Sequence, residues 1–265
     1  MLNKTCLPIG VAMAALMAPA ANATIVQFQT VLGTFEVNLY DQSTPATVAN
    51  FLAYVNAGDY DNAVFHRVVT GFVAQGGGYT YEGTDTLAPI VQNAAVVNEP
   101  EFSNVRGTIA MAKVSGNANS ATNQWFINLG NNSANLDAQN GGFTVFGQVI
   151  GNGMDVIDAI NALPKFNFGS AFDTIPLRDY TTQNATDGVE ITDRHLVLVT
   201  AIVVLDGAAN TAAGLSPVPN TLIDAPPAAP PPASSGGGGG GAMGLGSLLA
   251  LGLLGVLRRR RWSRA

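Results

Sequence analysis

Between Thr24 and Asp206 the apolar residues recur mostly at every second position, in runs too short for helices. In Thr34-Phe35-Glu36-Val37-Asn38-Leu39-Tyr40 the apolar Phe35, Val37 and Leu39 alternate with polar neighbours, and a tight turn containing Gly33 joins this run to 25–30. That pattern predicts a hairpin with one buried face. Further strands are predicted over 63–69, 72–76, 107–113, 124–129, 143–150 and 195–205. Only two stretches change period. Over 44–58, Val48, Phe51, Leu52 and Val55 form a helical stripe, with Thr44 placed to cap, Pro45 suited to the first turn and Gly58 as the stop. The second helix is predicted over 154–163, ended by Pro164. Many strands with one early and one late helix favour a mainly β fold, a closed antiparallel barrel capped at its ends, because closure removes exposed sheet edges. Periodicity alone leaves a sandwich open. The stretch 165–194, rich in Asn, Thr, Asp and Phe, predicts a long irregular loop.

Both ends of the chain break this pattern. Residues 1–23 combine Lys4, an apolar run from Leu7 to Ala18 and the small residues Ala20-Ala21-Asn22-Ala23, the anatomy of a secretory signal cleaved after Ala23. The mature chain is then expected to begin at Thr24, with a folded domain over 24–207. Residues 208–241 turn to Ala, Pro and Ser and then to six glycines, which reads as a tether. Residues 242–257 are uncharged and apolar and are followed by a basic tail over 258–265. A helix over 242–257 rises roughly 24 Å at about 1.5 Å per residue, short of a hydrocarbon core of about 30 Å, a gap that snorkelling arginines close. The basic cluster orients the preceding domain outside the cell. This three-part tail resembles bacterial C-terminal sorting signals, which a rhomboid-type membrane protease processes; a permanent anchor is the alternative. The expected location is therefore exported, periplasmic or cell-surface, with at least transient anchoring in the inner membrane.

Composition narrows the chemistry. The net charge is −6, with Arg258 to Arg261 and Arg264 all in the basic tail, so the folded region is more acidic still and a nucleic-acid surface is not expected. The one cysteine, Cys6, lies within the signal, and His66 and His195 are too scattered for a metal site, so neither disulfides nor a cofactor or metal is expected. Stability then rests on a packed core, and a monomer is expected.

The densest motif is Phe65-His66-Arg67-Val68-Val69-Thr70-Gly71-Phe72-Val73-Ala74-Gln75-Gly76-Gly77-Gly78. Downstream follow 106–112 (Arg-Gly-Thr-Ile-Ala-Met-Ala), 123–127 (Asn-Gln-Trp-Phe-Ile) and 146–149 (Phe-Gly-Gln-Val). In identity, spacing and order these resemble the signature of the cyclophilins, the resemblance covering 24–206. It implies a closed eight-stranded antiparallel β-barrel capped by two α-helices, and a peptidyl-prolyl cis/trans isomerase that assists the folding of proline-containing polypeptides. It also implies a catalytic arginine at Arg67, with Phe72 and Gln75 as catalytic partners. Val73, Ala112, Lys113, Gln124, Phe126, Leu136 and Phe143 fall at substrate-binding positions. Val73 stands where methionine is usual. Asn135 stands where many eukaryotic members carry tryptophan and many bacterial ones phenylalanine, and Phe143 where eukaryotic members have histidine and bacterial ones often an aromatic residue. The first departure implies weak cyclosporin binding.

The chemistry supports these residue types independently. An X-Pro amide rotates over a barrier of roughly 18–20 kcal/mol because its C–N bond is conjugated, and lowering that barrier requires no bond to be made or broken. What helps is a dry apolar pocket for the pyrrolidine ring and a fixed cation that donates to the proline nitrogen as its lone pair leaves conjugation. A guanidinium suits the second task, being permanently charged and rigidly forked, and amides such as Gln75 and Gln124 can hold a substrate carbonyl or the arginine itself. Taken singly, Arg67 reads as a surface ion-pair partner and Phe72 and Phe126 as core. His66 reads as structural, since isomerisation needs no base, and Glu99 and Asp137 as loop or capping residues. The run Gly76 to Gly78 lacks phosphate-loop spacing. Two other classes stay open at this point: a proline-binding module without turnover, and a surface structural protein.

Overall fold

The computed structural model describes residues 24–83, 87–206 and 215–223. The expected signal, most of the tether, the apolar 242–257 segment and the basic tail lie outside the described residues, among which no helix is long and apolar enough to cross a membrane.

Thirteen strands form among the described residues. In chain order they are β1 (Ile25–Thr30), β2 (Gly33–Leu39), β3 (Ala63–Val64), β4 (Arg67–Val69), β5 (Val73–Gly76), β6 (Tyr79–Tyr81) and β7 (Leu87–Pro89). Then come β8 (Thr108–Met111), β9 (Trp125–Asn128), β10 (Val145–Ile150), β11 (Lys165–Phe166), β12 (Ile175–Pro176) and β13 (Leu198–Asp206). Eleven of them make one curled antiparallel sheet in the order β4-β5-β9-β8-β10-β2-β1-β13-β3-β6-β7. The predicted 63–69 strand is broken at Phe65–His66 and serves three neighbours, β3 lying between β13 and β6 and β4 pairing with β5; at the break Phe65 N–H donates to Val197 O beside β13, and His66 N–H to Gln75 O on β5. The β1–β2 hairpin forms as its alternation demands, Val26, Phe28, Phe35, Val37 and Leu39 all turning inward.

The main core lies on the inner face. Phe28 stacks on Phe35 at 4.6 Å between ring centroids and meets Trp125 edge-on at 5.2 Å, and Phe65 also meets Trp125 edge-on at 5.3 Å. The indole needs room that only glycines leave: a Cβ on Gly76 or Gly77 would come within 2.7 Å or 2.6 Å of it. The glycine run is therefore a packing feature. Helix α1 (Pro45–Ala57) buries Val48, Phe51, Tyr54 and Val55, with Leu52 only half-buried, because Tyr54 takes the inward position and accepts a bond from Asn93 N–H at 2.6 Å.

Helix count and the late loop differ from expectation. Among the described residues there are, besides α1, the helices α2 (Ser133–Leu136), α3 (Gly153–Ala162) and α4 (Thr182–Thr186), so the two long helices are accompanied by two single-turn ones. The 165–194 stretch is not irregular throughout: β11 pairs with β12, and α4 begins in a Thr181/Asn184 capping box. Its Ile175, Leu177 and Tyr180 pack with Val64, Leu196 and Leu198 into a separate apolar cluster. The apolar residues there are spaced too unevenly to show a period.

Candidate active site

Strand alternation also fills the outer face of the sheet, and there the expected residues meet. Arg67 on β4 lies opposite Gln75 on β5, Gln75 opposite Phe126 on β9, and Phe126 opposite Ala110 on β8. Their sequence neighbours Val68, Ala74, Trp125 and Ile109 turn into the main core. One row of outward side chains thus runs from a cation through an amide to an aromatic ring.

Arg67 is only 3 % exposed. Its Nε lies 3.3 Å from Oδ1 of Asp173, whereas Nη1 and Nη2 are buried with no hydrogen-bond partner among the described residues. Burial lowers its pKa, the charge and hydrogen bond of Asp173 oppose the shift, and the intrinsic basicity of guanidinium keeps it charged at neutral pH. Two donor nitrogens of a buried cation are thus unpaired among the described residues. Gln75 donates through Nε2 to Gln124 Oε1 at 2.8 Å, and Gly78 leaves the space that Gln124 occupies, since a Cβ there would meet its Cδ at 2.9 Å.

The apolar part is a second cluster, separate from the main core, in which Val73, Phe126, Leu136 and Phe143 pack with Tyr40 and Val145. Phe72 and Ala112 border it and are half-buried, while Val73, Phe126 and Leu136 retain no exposed surface. Phe126 and Phe143 meet edge-on at 6.0 Å. Phe72 is presented by a tight turn in which its N–H donates to Val69 O at 2.9 Å and Gly71 adopts a φ of +74°. Its carbonyl accepts from Leu129 N–H and Asn132 Nδ2, both at 2.8 Å.

Lys113, expected at a substrate-binding position, is buried and its ammonium is engaged within the domain. Its buried ammonium donates to Asn140 O at 2.9 Å and Gly142 O at 2.5 Å and lies 4.8 Å from the Phe143 ring centroid. Burial brings its pKa down to about 8. Its visible work is to hold the segment that carries Phe143. Asn135, on α2 next to Leu136, is exposed.

Beneath the apolar wall lies a polar network that sequence reading missed. The Asp137 carboxylate accepts from Ser103 Oγ and from Asn104 N and Nδ2, and Asn104 Nδ2 also reaches Phe143 O at 3.2 Å. Asn128 and Asn132 extend it to the carbonyl of Phe72. Asp173 was equally invisible: it lies 106 residues beyond Arg67, in the stretch read as a loop. His66 is enclosed, its ring edge-on to Tyr79 at 5.2 Å, and its pKa is pulled down to about 4 mainly by burial, so it is neutral at pH 7.

Residues 25–185 match the family described as cyclophilin type peptidyl-prolyl cis-trans isomerase. A peptidyl-prolyl cis-trans isomerase of Acinetobacter baylyi is 41% identical over 155 residues, covering 57% of this chain and 79% of the relative. Peptidyl-prolyl cis-trans isomerase B of Escherichia coli is 36% identical over 168 residues, covering 61% and 98%. A crystal structure of a Cryptosporidium parvum cyclophilin type isomerase, in the presence of the dipeptide Ala-Pro, superposes with a TM-score of 0.50 at 24% identity, covering 69% of this chain and 99% of that one.

Proposed function

The chain belongs to the cyclophilin-type peptidyl-prolyl cis-trans isomerases, and from that premise we propose that it catalyses X-Pro rotation on the outer face of the sheet, with Arg67 as the group acting on the imide nitrogen. The observation that carries this reading is the pair of unpartnered nitrogens on a buried guanidinium, in register with Gln75 and Phe126. A buried charge with unused donors is costly unless a ligand takes them up. As the amide twists, the proline nitrogen becomes pyramidal and basic, and a fixed donor stabilises that state more than the planar one. Phe72, at the accessible border, offers its ring to the pyrrolidine, and Val73, Phe126, Leu136 and Phe143 form the apolar wall behind it, which side-chain movement has to uncover before they touch the substrate. Gln75 and Gln124 position the substrate carbonyl, and Ala112, whose N–H is bonded to Gln124 O at 2.9 Å, lies along the substrate path.

The finer parts of the reading have their own supports. A closed eight-stranded barrel follows if 63–69 counts as one strand, bonded by its first half to β13 and by its second to β5. Export rests on the leader anatomy of 1–23, and at least transient anchoring on the 242–257 segment with its basic tail; the clients are then exported proline-containing polypeptides, met by a monomer.

The test is Arg67→Ala against Arg67→Lys on a proline tetrapeptide. Arg67→Ala is expected to lower kcat and kcat/KM together by about a hundredfold, the scale of one preorganised donor, with the circular dichroism spectrum unchanged. Arg67→Lys recovers part of that, having charge without the planar fork. A folded Arg67→Ala protein turning over at the original rate sinks the assignment.

A further inference from the structure

Residues 215–223, which in the sequence belong to the tether, lie against the domain. Ser103 N–H donates to Val218 O at 2.8 Å and Asn220 N–H to Glu101 O at 2.9 Å, a short antiparallel bridge centred on Phe102 and Pro219. Pro219 fits because the bridge draws its bonds from the residues on either side and asks for no N–H from the proline. Asn220 then acts twice: Oδ1 accepts from the N–H groups of Leu222 and Ile223, turning the chain, and Nδ2 donates to the carbonyl of Asp137 at 2.9 Å. The turn sets Ile223 against Gly142, where an added Cβ would lie 3.1 Å from Ile223 Cδ1. At the other end, Leu215 packs on the outer-face cluster that holds Phe126, Leu136 and Phe143.

We propose that 215–223 is a strap that positions the 136–143 wall of the substrate pocket, with Asn220 as its positioning residue. The proposal rests on the reading that Leu136 and Phe143 wall that pocket. The wall has little regular structure of its own, only the single turn of α2 and a 3₁₀ turn at 139–141, so its placement depends on neighbours. Asp137 is gripped by its carboxylate from Ser103 and Asn104 and by its carbonyl from Asn220, and the strap pairs with the same 101–103 segment. Strap, bridge segment and wall therefore form one hydrogen-bonded unit. A wall that touches the pyrrolidine ring equally in the planar and twisted states governs binding more than turnover, so loosening it acts on KM.

The experiment uses the full chain carrying Asn220→Asp, which keeps the turn-forming oxygen and removes the donor to Asp137, with Leu215→Ala as a second variant and Phe126→Ala as the test of the pocket itself. For Asn220→Asp, KM on a proline tetrapeptide is expected to rise about tenfold or more, because the lost hydrogen bond is joined by repulsion between the new carboxylate and the Asp137 carbonyl, with kcat within about twofold. Amide exchange at Leu136 and Phe143 should quicken while that of the core strands stays slow. Unchanged KM and exchange, or a lower thermal midpoint with exchange raised everywhere and KM unmoved, overturns the strap's positioning role. A fall in KM overturns it too, since it makes the segment a cover over the pocket. If Phe126→Ala alters neither kcat nor KM, the pocket reading fails and the strap's role with it; if only Phe126→Ala has an effect, the strap alone is refuted.

Discussion

His66 precedes the proposed catalytic arginine and shows how much of a motif can be packing. Its Nδ1 is buried without a partner among the described residues, and burial holds its pKa at about 4, against 6.5 in the unfolded chain. The folded-state value is depressed for a base, so the unfolded chain binds the extra proton first: stability is intact above pH 6.5, falls on acidification from there to about 4, and is level below. The loss over that window amounts to roughly 3 kcal/mol at about 1.36 kcal/mol per pKa unit. Urea unfolding at a series of pH values should show it in the natural chain and not in His66→Phe; a slope kept by the variant assigns it to carboxylates instead. At this scale the residue identities of 65–78 were legible because chemistry and spacing are local. The partners of those residues were not. Asp173 beside Arg67 and the carbonyls that hold Lys113 are supplied by distant segments, and no local pattern in the sequence marks them.

Helix α1 makes the same division one level up. Its apolar stripe and its Pro45 and Gly58 boundaries follow from sequence, and Gly58 adopts the left-handed conformation expected of a helix stop. The cap does not follow: Thr44 Oγ donates back to Tyr40 O, and two first-turn amides that no helical carbonyl can reach are met instead by Glu99, whose carboxylate accepts from Ala46 N–H, Thr47 N–H and Thr47 Oγ. An acidic side chain at a helix N-terminus satisfies orphan donors and complements the dipole. Glu99→Gln, which keeps shape and loses charge, should therefore cost about 1 kcal/mol of stability and leave kcat/KM alone. Thermal unfolding at low and high salt checks it, because the charge part of the effect shrinks with screening; a variant as stable as the natural chain at low salt dismisses Glu99 as the cap. Strands β5, β8 and β9 were equally half-legible. Their alternation marks an inner and an outer face, yet every residue of the three is buried, because the 133–143 segment covers the outer face with apolar side chains that show no strand or helix period.

For the whole molecule, alternation in the sequence is enough for a curled, mainly β sheet with an inner core, whereas the covering of its outer face depends on contacts between segments remote in the chain. The start of the domain offers a test that joins fold to processing. Thr24 is buried, its N–H donates to Asp41 Oδ2 at 2.8 Å, and its hydroxyl donates to Oδ1 at 2.9 Å. If the leader is removed after Ala23, that amide nitrogen becomes a terminal ammonium already seated on a carboxylate. Charge-assisted hydrogen bonds are roughly twice as strong as neutral ones, so processing should fasten the first residue of the domain beside β1. Protein beginning at Thr24 is expected to unfold at a higher temperature than the chain that retains residues 1–23. Asp41→Asn should then cost about 2 kcal/mol in the processed form and about 1 kcal/mol in the unprocessed one. Thermal midpoints of the four proteins give the difference directly, and N-terminal sequencing of exported material fixes the premise. Equal losses from Asp41→Asn in the two forms would show that the new terminus forms no ion pair, and exported protein starting anywhere but Thr24 would move the cleavage point away from the residue that Asp41 holds.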